Sequence, residues 1–95
     1  SENTININNE TDDSETGELK LIIDEESWIE VYNANDKRLF HKLAQPGSVI
    51  NITGLIPISV LIGHAEGVQV IFNGENIDTK PYTRVDVARL KLGEE

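Results

Sequence analysis

From Leu19 onward the large apolar residues of this chain recur at every second position, in short runs that end at Gly, Pro, Asn or Asp. A two-residue period puts alternate side chains on opposite faces of an extended segment, whereas one face of a helix needs recurrence every three or four residues. "LKLIID" sets Leu19, Leu21 and Ile23 on one face; "SWIEVYN" sets Ile29 and Val31 on one face and Trp28, Glu30 and Tyr32 on the other. "RLFHKL", "VINIT", "ISVLI", "VQVIF", "ENID" and "VDVARLKL" continue the series, and no segment sustains a helical period. The breaks carry their own chemistry. Asn33, Asn35 and Asp36 tolerate left-handed backbone and bond their own main chain. Asn73-Gly74 suits a two-residue hairpin turn in which both central residues take positive φ, and "QPGS" and the Gly54 to Pro57 break separate further runs. The chain is therefore predicted to be all-β, an immunoglobulin-like antiparallel β-sandwich of about seven strands, with a small β-barrel as the alternative. Strand order does not follow from spacing.

At 95 residues the chain holds one domain, and a domain of this size buries only about 60 to 65% of its unfolded surface. No stretch approaches the roughly 18 consecutive apolar residues of a membrane span, and the start lacks the basic-then-apolar order of a secretory leader. The formal charge of −9 is uneven: residues 1 to 18 carry Glu2, Glu10, Asp12, Asp13, Glu15 and Glu18 with no Lys or Arg. Residues 1 to 17 also have only Ile5 and Ile7 as large apolar side chains, too few to offset the entropy of ordering. They are expected to form a disordered, acidic, Asn-rich linker, with residues 18 to 95 as the domain. The competing reading is a strand through "TINI", where the two isoleucines alternate. Beyond residue 18, eight basic residues are scattered among eleven acids, so no basic stripe is visible and nucleic acid is not an expected partner.

A search for chemistry finds little. There is no Cys, hence no disulfide and no thiolate metal site. His41 and His64 match no zinc spacing, and Asp24, Glu25, Glu26 and Asp36 lack the twelve-residue oxygen-ligand loop of a calcium site. Ser27, Ser48 and Ser59 sit in no nucleophile elbow, and the glycines form no phosphate cradle. No catalytic, metal or cofactor site is expected.

The stretches "SWIEVYNANDKRLF", "ITGLIPISVLIG", "VQVIFNGENIDTKPYTR" and "VARLKL" together resemble the C-terminal periplasmic domain of the RodZ cell-shape protein family, from about Glu18 to Leu92. The resemblance rests on an ordered set: Trp28, Glu30 and Val31; Asp36, Arg38, Leu39 and Phe40; Thr53, Gly54 and Pro57; Asn73, Gly74 and Asp78; Val87, Ala88, Arg89 and Leu92. It implies an immunoglobulin-like domain at the end of a bacterial inner-membrane protein. In that family a cytoplasmic helix-turn-helix domain binds the actin-like protein MreB, and one transmembrane helix and a periplasmic linker follow. This chain would then be the linker's tail and the last domain, without catalytic residues. The implied partners are the periplasmic parts of the wall-elongation transpeptidase and glycosyltransferase, with MreB and the membrane reached only through the family's other segments. A peptidoglycan-binding module using Trp28 and Tyr32 as sugar-stacking platforms is the alternative.

If Ile29 and Val31 face inward, alternation turns Trp28 and Tyr32 outward, and Phe40 on the return strand is a candidate for the same surface. In so small a domain Trp28 is expected to be at least partly buried. Because aromatics and Arg dominate binding hot spots, Trp28, Tyr32, Arg38 and Phe40 form the first candidate interaction site, followed by Tyr82 and Arg84.

Overall fold

The computed structural model describes residues 3–8 and 15–94. The alternating runs are strands, in the order β1 (Asn3–Asn8), β2 (Thr16–Ile23), β3 (Ser27–Tyr32), β4 (Arg38–Ala44), β5 (Ser48–Leu55), β6 (Ile58–Ile62), β7 (Val68–Phe72), β8 (Glu75–Ile77), β9 (Thr83–Arg84) and β10 (Val87–Leu92). Short 3-10 turns occupy Ala65–Gly67 and Lys80–Tyr82. Two five-stranded sheets, ordered β1-β5-β2-β7-β8 and β4-β3-β6-β10-β9, face each other as a sandwich and do not close into a barrel.

The core lies where the alternation points. Leu19, Leu21, Ile23, Ile50, Ile52 and Val70 from the first sheet meet Ile29, Val31, Ile58, Val60, Ile62 and Leu90 from the second, all buried. Each such side chain removed from water contributes about 1.5 to 3 kcal/mol, so the small domain depends on this single two-layer contact.

Eight of the ten strands among the described residues coincide with the runs read from sequence; β1 and β9 were not among them. Residues 3–8, expected in the linker, form β1, which pairs parallel with β5 in an otherwise antiparallel arrangement. The register explains why so polar a segment is ordered. Ile5 lies opposite Ile50 and Ile7 opposite Ile52, so both extend an existing apolar row, while on the outer side Asn51 donates to the Asn6 Oδ1 at 2.9 Å. The linker expectation for residues 1, 2 and 9–14 lies outside the described residues, and Thr16 and Gly17, also expected in the linker, open β2.

The turn chemistry holds where sequence located it. Asn33 Oδ1 accepts from the backbone N–H of Asn35 and Lys37 at 2.8 and 2.9 Å, and Asp36 takes φ 63°. Asn73 and Gly74 take φ 50° and 85°, the pair of positive values required by the tight β7–β8 hairpin. The β9–β10 turn uses Val85 and Asp86 in the same way, at φ 47° and 70°. A β-branched residue is strained there, which is why its sequence offers no turn signal.

Candidate functional site

The second sheet carries the aromatic face. Within β3, Ile29 and Val31 are fully buried, and the pleat turns Trp28, Glu30 and Tyr32 to the outer side. Pairing then adds neighbours from both flanks. Leu43 lies opposite Trp28, and His41 opposite Glu30 on β4. Leu61 lies opposite Glu30, and Ser59 opposite Tyr32 on β6; Arg89 and Lys91 of β10 continue those two rows. One shallow surface results, with Trp28 and Leu43 as its exposed apolar members.

Glu30 organises this surface. Its carboxylate accepts from Trp28 Nε1 at 2.7 Å and from the Tyr32 hydroxyl at 3.0 Å, and His41 Nε2 stands 3.5 Å away. The Trp28 and His41 rings meet edge to face with centroids 4.9 Å apart. The hydrogen bond from Trp28, then that from Tyr32, holds the Glu30 carboxyl below the usual glutamate range, and the same bond to Glu30 raises the Tyr32 phenol. A lowered folded value means that the carboxylate's contribution is complete above the unfolded glutamate value and is lost as pH falls through the lowered one. Since Trp28 is the only Trp, its fluorescence is expected to show an acid transition centred below the ordinary glutamate range. Glu30→Gln should abolish that transition; its persistence in this variant would contradict the assignment.

A β-bulge corrects the placement of two predicted residues. Val31 pairs with Phe40 but Tyr32 pairs with Arg38, so Leu39 is the extra residue. Directly opposed residues share a face; Phe40, opposite buried Val31, therefore points into the core and is itself buried. It does not join the aromatic surface. Leu39 packs inward against Gly54, where an added Cβ would lie 2.8 Å from its Cδ1. Arg38 returns to the outer face beside Tyr32. Trp28 has 37% of its surface exposed, the partial burial expected.

Tyr82 and Arg84 lie at the other border of the same sheet. Tyr82 is exposed on the 3-10 turn, and Arg84 pairs with Val87 on the outer side of β9. Strand order puts β6 and β10 between them and β3, so they are not in one cluster with Trp28.

Charge is segregated between the sheets, although it is scattered in sequence. Among the described residues the strands of the second sheet hold Arg38, Lys42, Arg84, Arg89 and Lys91 against Glu30 alone; those of the first hold Lys20 against Glu18 and Glu75. Because Glu30 is occupied by its own neighbours, the aromatic face presents a cationic border on an acidic protein, although Lys91 is paired with Glu94 at 3.7 Å. Glu30, His41, Leu43, Leu61, Arg89 and Lys91 were absent from the sequence-derived set. The alternation of Arg89 and Lys91 with Leu90 was visible, but their placement beside Tyr32 depends on strand order.

At one end of the sandwich His64 joins three loops. Its Nδ1 meets Asp86 Oδ2 and its Nε2 meets Glu25 Oε1, each at 2.5 Å. The carboxylates flank opposite ring nitrogens and do not converge on one point, and no metal-ligand cluster occurs among the described residues. Asp86 foremost, then Glu25, raises the imidazole pKa. A raised folded value makes the bridge's contribution complete below the unfolded His value and lost as pH rises through the folded one. The stability difference between the parent chain and His64→Gln, followed by denaturant midpoints, is expected to shrink as pH rises through and beyond the ordinary His range. A difference that grows with pH would contradict this.

No solved structure matches the chain. The family model of the RodZ C-terminal domain matches residues 20–91, a span that includes β3, β4, β6 and nearly all of β10, and with them every residue of the aromatic and cationic face. The chain therefore belongs to the RodZ C-terminal domain family.

Proposed function

We propose that this domain is a non-catalytic interaction module of a membrane-anchored bacterial cell-shape protein, that it lies in the periplasm, and that it helps link the MreB cytoskeleton to peptidoglycan elongation. Membership of the RodZ C-terminal domain family supports the cell-shape role. The observation that carries the interaction reading is the outer face of β3, where Trp28, Tyr32 and Leu43 sit beside Arg38 and Arg89, and Glu30 is bonded to Trp28 and Tyr32. Aromatics bordered by Arg suit a protein partner, and the periplasmic parts of the elongation transpeptidase and glycosyltransferase are the proposed ones. The glycan-docking alternative gains no support: the Trp28 ring packs perpendicular to His41, and its indole N–H is already committed to Glu30.

A photo-crosslinking residue at position 28 of the full-length protein tests this in living cells. The expected adducts contain a wall-elongation protein. Adducts confined to peptidoglycan, or none despite normal protein levels, would remove this face from the proposal.

A further inference from the structure

β4 closes the second sheet on one side, and among the described residues no strand lies beyond it. At seven residues it is long for an exposed edge, whereas the opposite border is the two-residue β9. The direction of its backbone groups follows from the neighbouring ladder. Gly63 N–H donates to Trp28 O at 2.8 Å, so the polar groups of Trp28 and Glu30 point toward β6 and those of Ile29 and Val31 toward β4. Their partners Lys42 and Phe40 are thus spent on the β3 ladder, and His41 and Leu43 turn N–H and C=O to the open side.

Two further features describe what fits that side. Residues 37 to 44 contain Lys37, Arg38, His41 and Lys42 and no acid, within a chain of net charge −9. Beside the edge, between β1 and β4, runs a groove lined by Ile5, Ile50, Phe40 and Ala44, with the Lys42 ammonium 5.9 Å above the Phe40 ring. A second copy pairing edge to edge would set cations against cations, which is how sheets discourage self-association.

We propose that the open edge of β4 receives an extended acidic segment of another protein as an added strand. The main-chain groups of His41 and Leu43 would extend the ladder, alternate apolar side chains of the guest would enter the β1–β4 groove beside Lys42, and its carboxylates, on the other face of the added strand, would meet Arg38 beside Tyr32. This is strand addition, in which backbone bonds supply affinity and side-chain pockets supply selectivity. Arg38 borders both this edge and the outer face around Trp28, but the open main-chain groups belong to the edge and Tyr32 to the outer face, so either can fail without the other.

The probe is an end-capped peptide of alternating Glu and Val, titrated into the 95-residue chain and followed by amide NMR. The expected result is shift changes and slowed solvent exchange centred on the His41 and Leu43 amides. Methylating alternate peptide nitrogens should weaken binding about tenfold or more, as loss of roughly two hydrogen bonds would. Lys42→Glu, which sets a carboxylate against the apolar side chains in the groove, should weaken it comparably, and Tyr32→Ala should not. Equal binding of the methylated peptide, shifts centred away from β4, concentration-dependent self-association through this edge, or no binding would each overturn the proposal. The last outcome would mean that the edge charges serve only to repel other strands.

Discussion

Replacing Phe40 by alanine is expected to lower folding stability by about 3 to 5 kcal/mol, the range for deleting a buried aromatic from a core that collapses only partly. Phe40 has 6% of its surface exposed and lies opposite Val31, which has none. The loss comes from removed apolar contact and from the cavity left beside Val31. Denaturant unfolding of the purified domain measures it directly. A change below about 1 kcal/mol would place the ring outside the core and restore it to the outer surface. Because the effect acts through the folded state, any loss of cell-shape function in this variant would reflect a lower level of folded protein and would say nothing about binding.

The opposite separation is expected for Tyr32→Ala and Arg38→Ala. Both side chains lie on the outer face, Tyr32 half-buried and Arg38 exposed, so neither leaves a sealed cavity and the melting temperature should change little. In the full-length protein the same variants are expected to fail to restore rod shape, because hot-spot aromatics and arginines carry a disproportionate share of binding energy. The measurement pairs thermal melts with a complementation assay at matched protein levels. Rod shape restored fully by both variants would exclude this face and shift attention to Tyr82 and Arg84. A large fall in melting temperature would instead assign both residues to folding.

These two predictions diverge for residues that the sequence had grouped together. Phe40 and Tyr32 look alike as aromatics among alternating apolar residues, yet one is core and the other is surface. The cause is the bulge at Leu39 together with the register that sets Phe40 against Val31, both properties of a strand pair. The charge pattern behaved similarly. Arg38 and Arg89 are far apart along the chain but occupy strands flanking β3 and β6, so a cationic border exists only once the strand order exists.

What the sequence determined alone was local. The two-residue period located eight strands, chose Ile29 and Val31 over Trp28 and Tyr32 for the core, and marked the Asn33 and Asn73-Gly74 turns, because a side chain's face and a residue's tolerance of positive φ depend on its immediate neighbours. Only the tertiary structure decided which strands lie side by side. That placement ordered Asn3–Asn8, whose two isoleucines become useful only against Ile50 and Ile52. It also tied Glu30 to Trp28, Tyr32 and His41, and joined Glu25, His64 and Asp86 from three separate loops. Such contacts become favourable only after the backbone has closed long loops, and no short-range pattern in the chain records which closures occur.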